Sequence, residues 1–151
     1  MDSIKINIIR DHECPLHGME DIIEIKINGS SLINIIRETE SRQSEPRNYE
    51  GLSVLTSLYP SKHLLDDPHP YYPAKYGGRI PVLRCVCGDL DCNPMYVKIS
   101  VTDKDIAWSD FFNPWETTEW RSSPVDYSSL RFVFEKSQYE SELRFRNNRQ
   151  R

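Results

Sequence analysis

Alternating apolar and polar residues mark two strands near the start of the chain. Residues 3–10 place isoleucines at every second position, and residues 22–28 repeat the pattern. A period of two is typical of a half-buried strand. The segment between them, residues 11–18, contains a proline and a glycine and is predicted to be a loop. The sequence therefore predicts an N-terminal hairpin.

A helix is predicted directly after this hairpin, followed by a long irregular connection. Ser30 or Ser31 can cap the helix, apolar residues follow at helical spacing, and the acidic residues after them are expected in solvent. From residue 40 to residue 78 the pattern weakens and prolines interrupt it. We expect a surface connection there, with short helical turns at 52–59 and 62–65.

The second half of the chain again predicts strands. Residues 82–86, 95–101 and 106–111 have the patterns of a three-strand meander, residues 130–134 of a last strand and residues 135–145 of a closing helix. The basic end, residues 144–151, is predicted to be a frayed tail. The expected fold is a single α+β domain over residues 1–151, mainly antiparallel sheet, with two flanking helices.

Charge and hydropathy narrow the function classes. The 151 residues carry a formal net charge of −4, and the sequence pI is about 5.6. This balance disfavours direct binding to nucleic acid and favours a basic partner. No window holds the roughly 18 apolar residues of a membrane span, and the first residues lack a secretory pattern. We expect a cytoplasmic protein with no membrane partner.

Three cysteines within eight residues are the main candidate for metal chemistry. Cys85, Cys87 and Cys92 flank a glycine and two aspartates that suit a tight turn. Three thiolates brought together by a turn suit tetrahedral zinc, and Cys14 or His17 is the predicted fourth ligand if the hairpin loop lies beside this turn. Two other interpretations remain open: structural thiols, with Cys92 buried in the turn, and a redox pair.

Other residues point to binding rather than catalysis. The four histidines fall in predicted loops or short turns, and the sequence offers no recognisable catalytic triad, phosphate-binding loop or cofactor motif. We therefore predict a protein that is not an enzyme. Four residues of a polar loop, Trp115, Glu116, Glu119 and Trp120, combine aromatic side chains with carboxylates. Such a set is typical of a surface that binds a basic protein, although burial over the sheet is the alternative.

The C-terminal part of the chain carries an ordered set of short motifs. They are Cys-x-Cys-Gly-x-x-x-Cys from Cys85, then Pro94, then Trp108-x-x-Phe111, and finally Phe-Val-Phe-Glu-Lys-x-Gln-Tyr ending at Tyr139. In these motifs the chain resembles a family of small bacterial proteins of uncharacterised activity. The resemblance covers less than half of the chain and implies a bacterial, cytoplasmic source.

A looser similarity is one of composition. Small, acidic, Ile-rich and Asn-rich chains resemble the immunity proteins of contact-dependent inhibition systems, which bind and block a cognate toxin domain. The resemblance implies a non-enzymatic inhibitor of a basic toxin, for example a nuclease. The alternative prediction is a zinc-stabilised structural or regulatory module built on the Cys85 to Cys92 loop.

Overall fold

Within the residues that the structure describes, which are 1–54, 63–65 and 73–149, two antiparallel sheets and two helices form the fold of this computed structural model. The first sheet has the order β1-β2-β3 and the second the order β4-β5-β6-β7-β8. The strands are β1 (Ile4–Cys14), β2 (Gly18–Ile27), β3 (Ser30–Ser31), β4 (Tyr49–Gly51), β5 (Ile80–Cys85), β6 (Met95–Val101), β7 (Asp105–Phe112) and β8 (Phe132–Glu135). The helices are α1 (Leu32–Ser41) and α2 (Lys136–Arg149). The predicted α+β class with mainly antiparallel sheet is confirmed.

The N-terminal hairpin is longer than the sequence predicts. Its buried isoleucines are Ile4, Ile6, Ile22, Ile23, Ile25 and Ile27, and Cys14 at the end of β1 is also buried. A bulge at Asp11, whose φ is +55°, shifts the register, and pairing then resumes as far as Cys14 and Gly18. A bulge adds a residue without ending the ladder. The predicted loop therefore shrinks to residues 15–17.

Helix α1 follows Ser31, whose side chain makes no capping hydrogen bond. Its apolar face buries Leu32 and Ile36 against the hairpin sheet. Glu40, predicted to lie in solvent, is fully buried, because its carboxylate accepts hydrogen bonds from Tyr49 Oη at 2.5 Å and Tyr127 Oη at 2.6 Å. The end of α1 is thus tied to the second sheet by polar contacts.

The predicted C-terminal meander is present as β5, β6 and β7, and it is extended on both sides. On one side the short β4 pairs with β5, and on the other β8 pairs with β7. A second bulge, at Asp110 with φ of +53°, shifts the pairing of β6 and β7. Bulges bend and twist a strand, and this one lies at the end of β7 that leads to residues 113–121, which we call the tryptophan loop.

The two sheets meet at both sides of the five-stranded sheet. Past the end of β4, Ser53 bridges to Ile22 of β2, and Ile23 N donates to Leu52 O at 3.0 Å. At the other side Asp2 bridges to Phe134 of β8. The first junction requires Gly51, because a Cβ there would lie 1.7 Å from the carbonyl oxygen of Ile23.

Helix α2 closes the fold over β1, β7 and β8. Its Gln138 and Glu142 accept hydrogen bonds from the backbone amides of Ile4 and Ile6. On its inner face the hydroxyl of Tyr139 accepts from Trp108 Nε1 at 3.1 Å and donates to the carbonyl of Leu64 at 2.6 Å. One buried apolar cluster thereby contains residues from both sheets and both helices.

Several predicted elements change in extent. The segment 52–54 is extended instead of helical because it bridges to β2, and residues 55–59 lie outside the described residues. Within the predicted turn at 62–65, His63–Leu65 form a 3-10 turn. Helix α2 continues to Arg149, through most of the predicted tail. None of the helices in the described part of the chain is long and apolar enough to cross a membrane.

Candidate functional site: an aromatic groove beside a cysteine loop

The cysteine loop is the turn that joins β5 to β6, residues 85–92. Gly88 has a φ of +94°, and its N–H donates to Cys85 O at 2.9 Å, which folds the chain back on itself. The N–H of Asp91 donates to the Asp89 carboxylate at 2.9 Å and stabilises the second half of the turn. This geometry is a compact turn that positions three thiols on one loop.

The three thiols of this loop lie together, with the sulfur atoms of Cys85, Cys87 and Cys92 within 4.8 Å of one another. Cys92 is exposed, so the prediction that it buries into the turn is wrong. The N–H of Asp89 and the thiol of Cys85 hydrogen-bond to Cys87 and lower its pKa. The hydrogen bond with Cys85, then burial and the hydrogen bond with Cys87, raise the pKa of Cys92 to about 12.

Cys14 and His17 lie directly against this loop. A Cβ on Gly88 would lie 2.2 Å from Cys14 Sγ and 3.2 Å from His17 Cδ2. However, the Cys14 thiol donates to Cys87 O at 3.6 Å, and His17 Nε2 lies 3.2 Å from Gly88 O. Both side chains therefore brace the backbone of the loop, and in this conformation they lie outside the cluster of three sulfur atoms.

Beside the cysteine loop lies a surface cleft of about 460 Å³ that we call the aromatic groove. Its walls are Tyr76, Asp91, Phe112, Pro114, Trp115, Thr117, Glu119 and Trp120. The rings of Trp115 and Trp120 meet edge to face, 5.1 Å apart, and Trp120 is 59% exposed. Since an exposed Trp beside a cleft leaves apolar area in water, this surface is suited to contact another molecule.

Two strained backbone positions shape the other wall of the groove. Tyr76 has a φ of +52°, and its ring packs 5.0 Å from the rings of both Tyr96 and Phe112. Arg79 Nε donates to the carbonyl of Asp110, the bulge residue of β7, at 2.8 Å, and its guanidinium covers Phe112. Non-glycine residues in this backbone region are held there by their surroundings, so the wall is pre-formed.

The four residues predicted to form a binding surface are divided by the structure. Trp115, Glu119 and Trp120 line the groove together. Glu116 is buried, with 1% of its side chain exposed, and pairs with Arg47 at 2.8 Å and Arg121 at 2.6 Å. The predicted exposure of Glu116 is therefore wrong, because two arginines and the amide of Val125 satisfy its carboxylate internally.

Glu116 holds the tryptophan loop in place instead. Burial opposes its ionisation, but hydrogen bonds from Val125 N and from Arg47 and Arg121 outweigh that cost and lower its pKa below 4.5. At the start of the same loop the buried Asn113 accepts from Trp115 N at 2.9 Å. Glu116 and Asn113 thus fix the backbone that presents Trp115.

Besides Pro114 and Thr117 of the tryptophan loop itself, sequence reasoning missed three residues of the groove. Tyr76 is distant from the tryptophan loop in sequence, Phe112 directly precedes the loop but is absent from the predicted binding set, and Asp91 is predicted only as part of the cysteine turn. Trp115 Nε1 lies 3.4 Å from Asp91 O, which joins the groove to the cysteine loop. Only the pairing of β5, β6 and β7 brings Tyr76 and Asp91 to the tryptophan loop, so no local pattern could have indicated these two residues.

Comparison with family models, curated proteins and solved structures finds no match for this chain.

Proposed function

We propose that this chain is a non-enzymatic binding protein that neutralises a cognate bacterial toxin domain in the cytoplasm. The observation that carries the proposal is the aromatic groove, in which Trp115 and Trp120 stand beside the carboxylates of Asp91 and Glu119. Trp in a pre-formed cleft is the residue type that most often anchors protein interfaces.

The charge of the groove favours a basic partner. Glu119 is exposed, and within the described residues it makes no ion pair. Asp91 has 80% of its side chain exposed, and its carboxylate lies 3.8 Å from the Lys75 ammonium group. A Lys or Arg of the partner can therefore pair with either carboxylate while the aliphatic part of the same side chain lies on the tryptophan rings. A basic nuclease domain is a partner of this kind.

The buried acids favour binding over catalysis. Glu40, Glu50 and Glu116 each accept hydrogen bonds or pair with arginine inside the fold. Carboxylates committed in this way stabilise the structure and are poorly placed to move protons on a substrate. The four cysteines are free thiols, which is consistent with a reducing compartment such as the cytoplasm.

A pull-down from a bacterium that carries the gene tests the proposal. The tagged chain serves as bait, and mass spectrometry identifies what co-purifies. We expect a stoichiometric basic protein with a toxin-like C-terminal domain, whose activity falls when the chain is added. Recovery of no such protein from cells that express the neighbouring genes would contradict the proposal.

Matched variants locate the interface. Trp120→Ala and Glu119→Gln should each weaken binding tenfold or more, which corresponds to about 1.4 kcal/mol. Val101→Ala and Asp103→Asn change an exposed apolar and an exposed acidic residue at the opposite end of β6 and β7, and they should leave affinity unchanged. If all four variants bind equally, the partner uses another surface.

The second candidate is a zinc-stabilised structural or regulatory module. The observation that favours it is the approach of three sulfur atoms to within 4.8 Å, because tetrahedral zinc binds thiolates at about 2.3 Å. Cys85, Cys87 and Cys92 would then be the protein ligands. The fourth ligand would be Cys14 or His17 after a shift of the loop, or water.

Metal analysis distinguishes the two candidates. Protein purified without chelator should contain close to one zinc per chain if the zinc is structural. The Cys87→Ser variant should then lose the metal. The metal content of Cys14→Ser shows whether the buried thiol of Cys14 is a ligand. A chelator should then lower the unfolding temperature. If the purified protein contains no metal and its unfolding temperature does not change on addition of chelator, the zinc candidate is rejected and the binding proposal is unaffected.

A further inference from the structure

A second cavity, of about 470 Å³, lies between β2, β4 and the start of α1, separate from the aromatic groove. Its size is within the range of small-molecule sites. Most of its wall is aliphatic, including Ile25, Leu32 and Leu83, which are buried. The two sheets leave this space where Gly51 lets β4 approach β2. The cavity is therefore a product of the junction between the sheets.

The charged groups of this cavity are mostly negative. Glu13, Glu24 and Glu50 line it together with His12, and of the described residues in the lining none is Lys or Arg. Lys26 Nζ lies 3.9 Å from Glu24 Oε1, at the edge of an ion-pair contact. An aliphatic pocket with several carboxylates at its polar side is complementary to an apolar molecule that carries a positive charge.

The deepest carboxylate of the cavity, that of Glu50, has one oxygen without an arginine partner among the described residues. Arg84 is buried and pairs with both Glu50 and Glu20, so that one guanidinium faces two carboxylates. Ser53 Oγ donates to Glu20 at 2.8 Å, while the remaining oxygen of Glu50, Oε1, has His12 Nε2 at 3.3 Å. A ligand cation at Glu50 Oε1 would bring a second positive charge to two carboxylates that share one arginine.

We propose that this cavity binds a small amphipathic cation, an alkyl or aryl amine whose apolar body lies on the isoleucines and whose ammonium group lies at Glu50 Oε1. The inference is independent of the toxin-binding proposal, because it uses different residues on a different part of the fold. The ammonium group donates to Glu50 in place of the long contact with His12, and the rim carboxylates of Glu13 and Glu24 attract it.

Isoleucine methyl NMR with three probes tests this proposal. The probes n-hexylamine, 1-hexanol and hexanoate share one apolar chain and differ only in the charge of the head group. We expect hexylamine to shift the methyl signals of Ile25 and Ile33 saturably, hexanol to bind at least tenfold more weakly, and hexanoate to have no effect. The signals of Ile99 and Ile106, which lie in β6 and β7, should not move.

Two variants separate the charge argument from simple apolar filling. Glu13→Gln with Glu24→Gln removes two rim charges that lie outside the Arg84 network, and it should weaken hexylamine binding at least tenfold while hexanol binding stays the same. Glu50→Gln should weaken hexylamine binding further if this variant folds. If it does not fold, the double variant Glu13→Gln with Glu24→Gln still tests whether the carboxylates attract the ammonium group. Equal binding of hexylamine and hexanol, or unmoved Ile25 and Ile33 signals, would overturn the proposal.

Discussion

Replacement of Gly51 by alanine tests how the two sheets are joined. The added Cβ would lie 1.7 Å from Ile23 O and 2.9 Å from Ile23 C, where ordinary contact begins at 3.4 Å. One backbone must therefore retreat by more than an ångström. That movement disrupts two hydrogen bonds across the junction, Ile23 N to Leu52 O at 3.0 Å and Val54 N to Asp21 O at 2.8 Å.

The expected cost follows from these contacts. Overpacking costs about 1–3 kcal/mol, and each of the two hydrogen bonds contributes about 0.5–1.5 kcal/mol. We expect Gly51→Ala to lower the free energy of unfolding by roughly 2–6 kcal/mol, against a typical total of about 5–15 kcal/mol. Urea unfolding followed by tryptophan fluorescence measures this loss, with an expected fall in midpoint of about 1–3 M.

Gly18→Ala is the matched control for this substitution. Gly18 has a φ of +72°, but a Cβ there meets nothing within 4 Å. An alanine at Gly18 therefore pays only the left-handed backbone cost of about 1–2 kcal/mol. If only the positive φ mattered, alanine at Gly18 would lower the stability more than alanine at Gly51. The close contact with Ile23 O predicts the opposite, a larger loss at Gly51. A smaller loss for Gly51→Ala than for Gly18→Ala would refute the reasoning.

Three further predictions concern the buried Glu116, the thiols of the cysteine loop and the buried Tyr127. Because the folded pKa of Glu116 is lowered, its stabilisation is present above about pH 4.5 and is lost as the pH falls. Wild type should therefore lose more stability than Glu116→Gln between about pH 7 and about pH 3.5 in urea unfolding, and equal losses would contradict this. Iodoacetamide at about pH 8 should alkylate Cys87 before Cys92, because the pKa of Cys87 is lowered and that of Cys92 is raised. Peptide mass spectrometry measures the order of alkylation, and the reverse order would contradict the arrangement of the thiols. Tyr127→Phe removes a 2.6 Å hydrogen bond to buried Glu40 and should cost about 1–3 kcal/mol in urea unfolding. Tyr76→Phe, a control in the groove, should cost under about 0.5 kcal/mol.

Local patterns in the sequence were sufficient to predict the longer elements. The hairpin and the strands β6 and β7 repeat with a period of two, since one face of each is buried by a single core. The short β4 could not be predicted, because three residues give no period and its place depends on the glycine contact with β2. Nor does any local pattern show that the hairpin bulge at Asp11 prolongs β1 and β2.

The site was harder to predict because its contacts are long-range. Glu116 has the sequence context of an exposed acid between tryptophans, yet Arg47, 69 residues earlier, pairs with it. The three thiols of the cysteine loop could be predicted to meet because a single turn holds them. The other wall of the groove could not be, since Tyr76 reaches it only through the pairing of the sheet strands.

The double junction between the sheets also has a consequence for how the chain folds. The N-terminal segment contacts both outer sides of the five-stranded sheet: Ile22 bridges to Ser53, just past the end of β4, and Asp2 bridges to Phe134 of β8. Until the hairpin docks, these strands present unpaired backbone groups to any neighbouring chain. Since the partners are far apart in sequence, docking is slow relative to local turns. Aggregation is therefore a hazard for any partly folded chain in which the hairpin has not docked, and docking of Asp2 on β8 removes it.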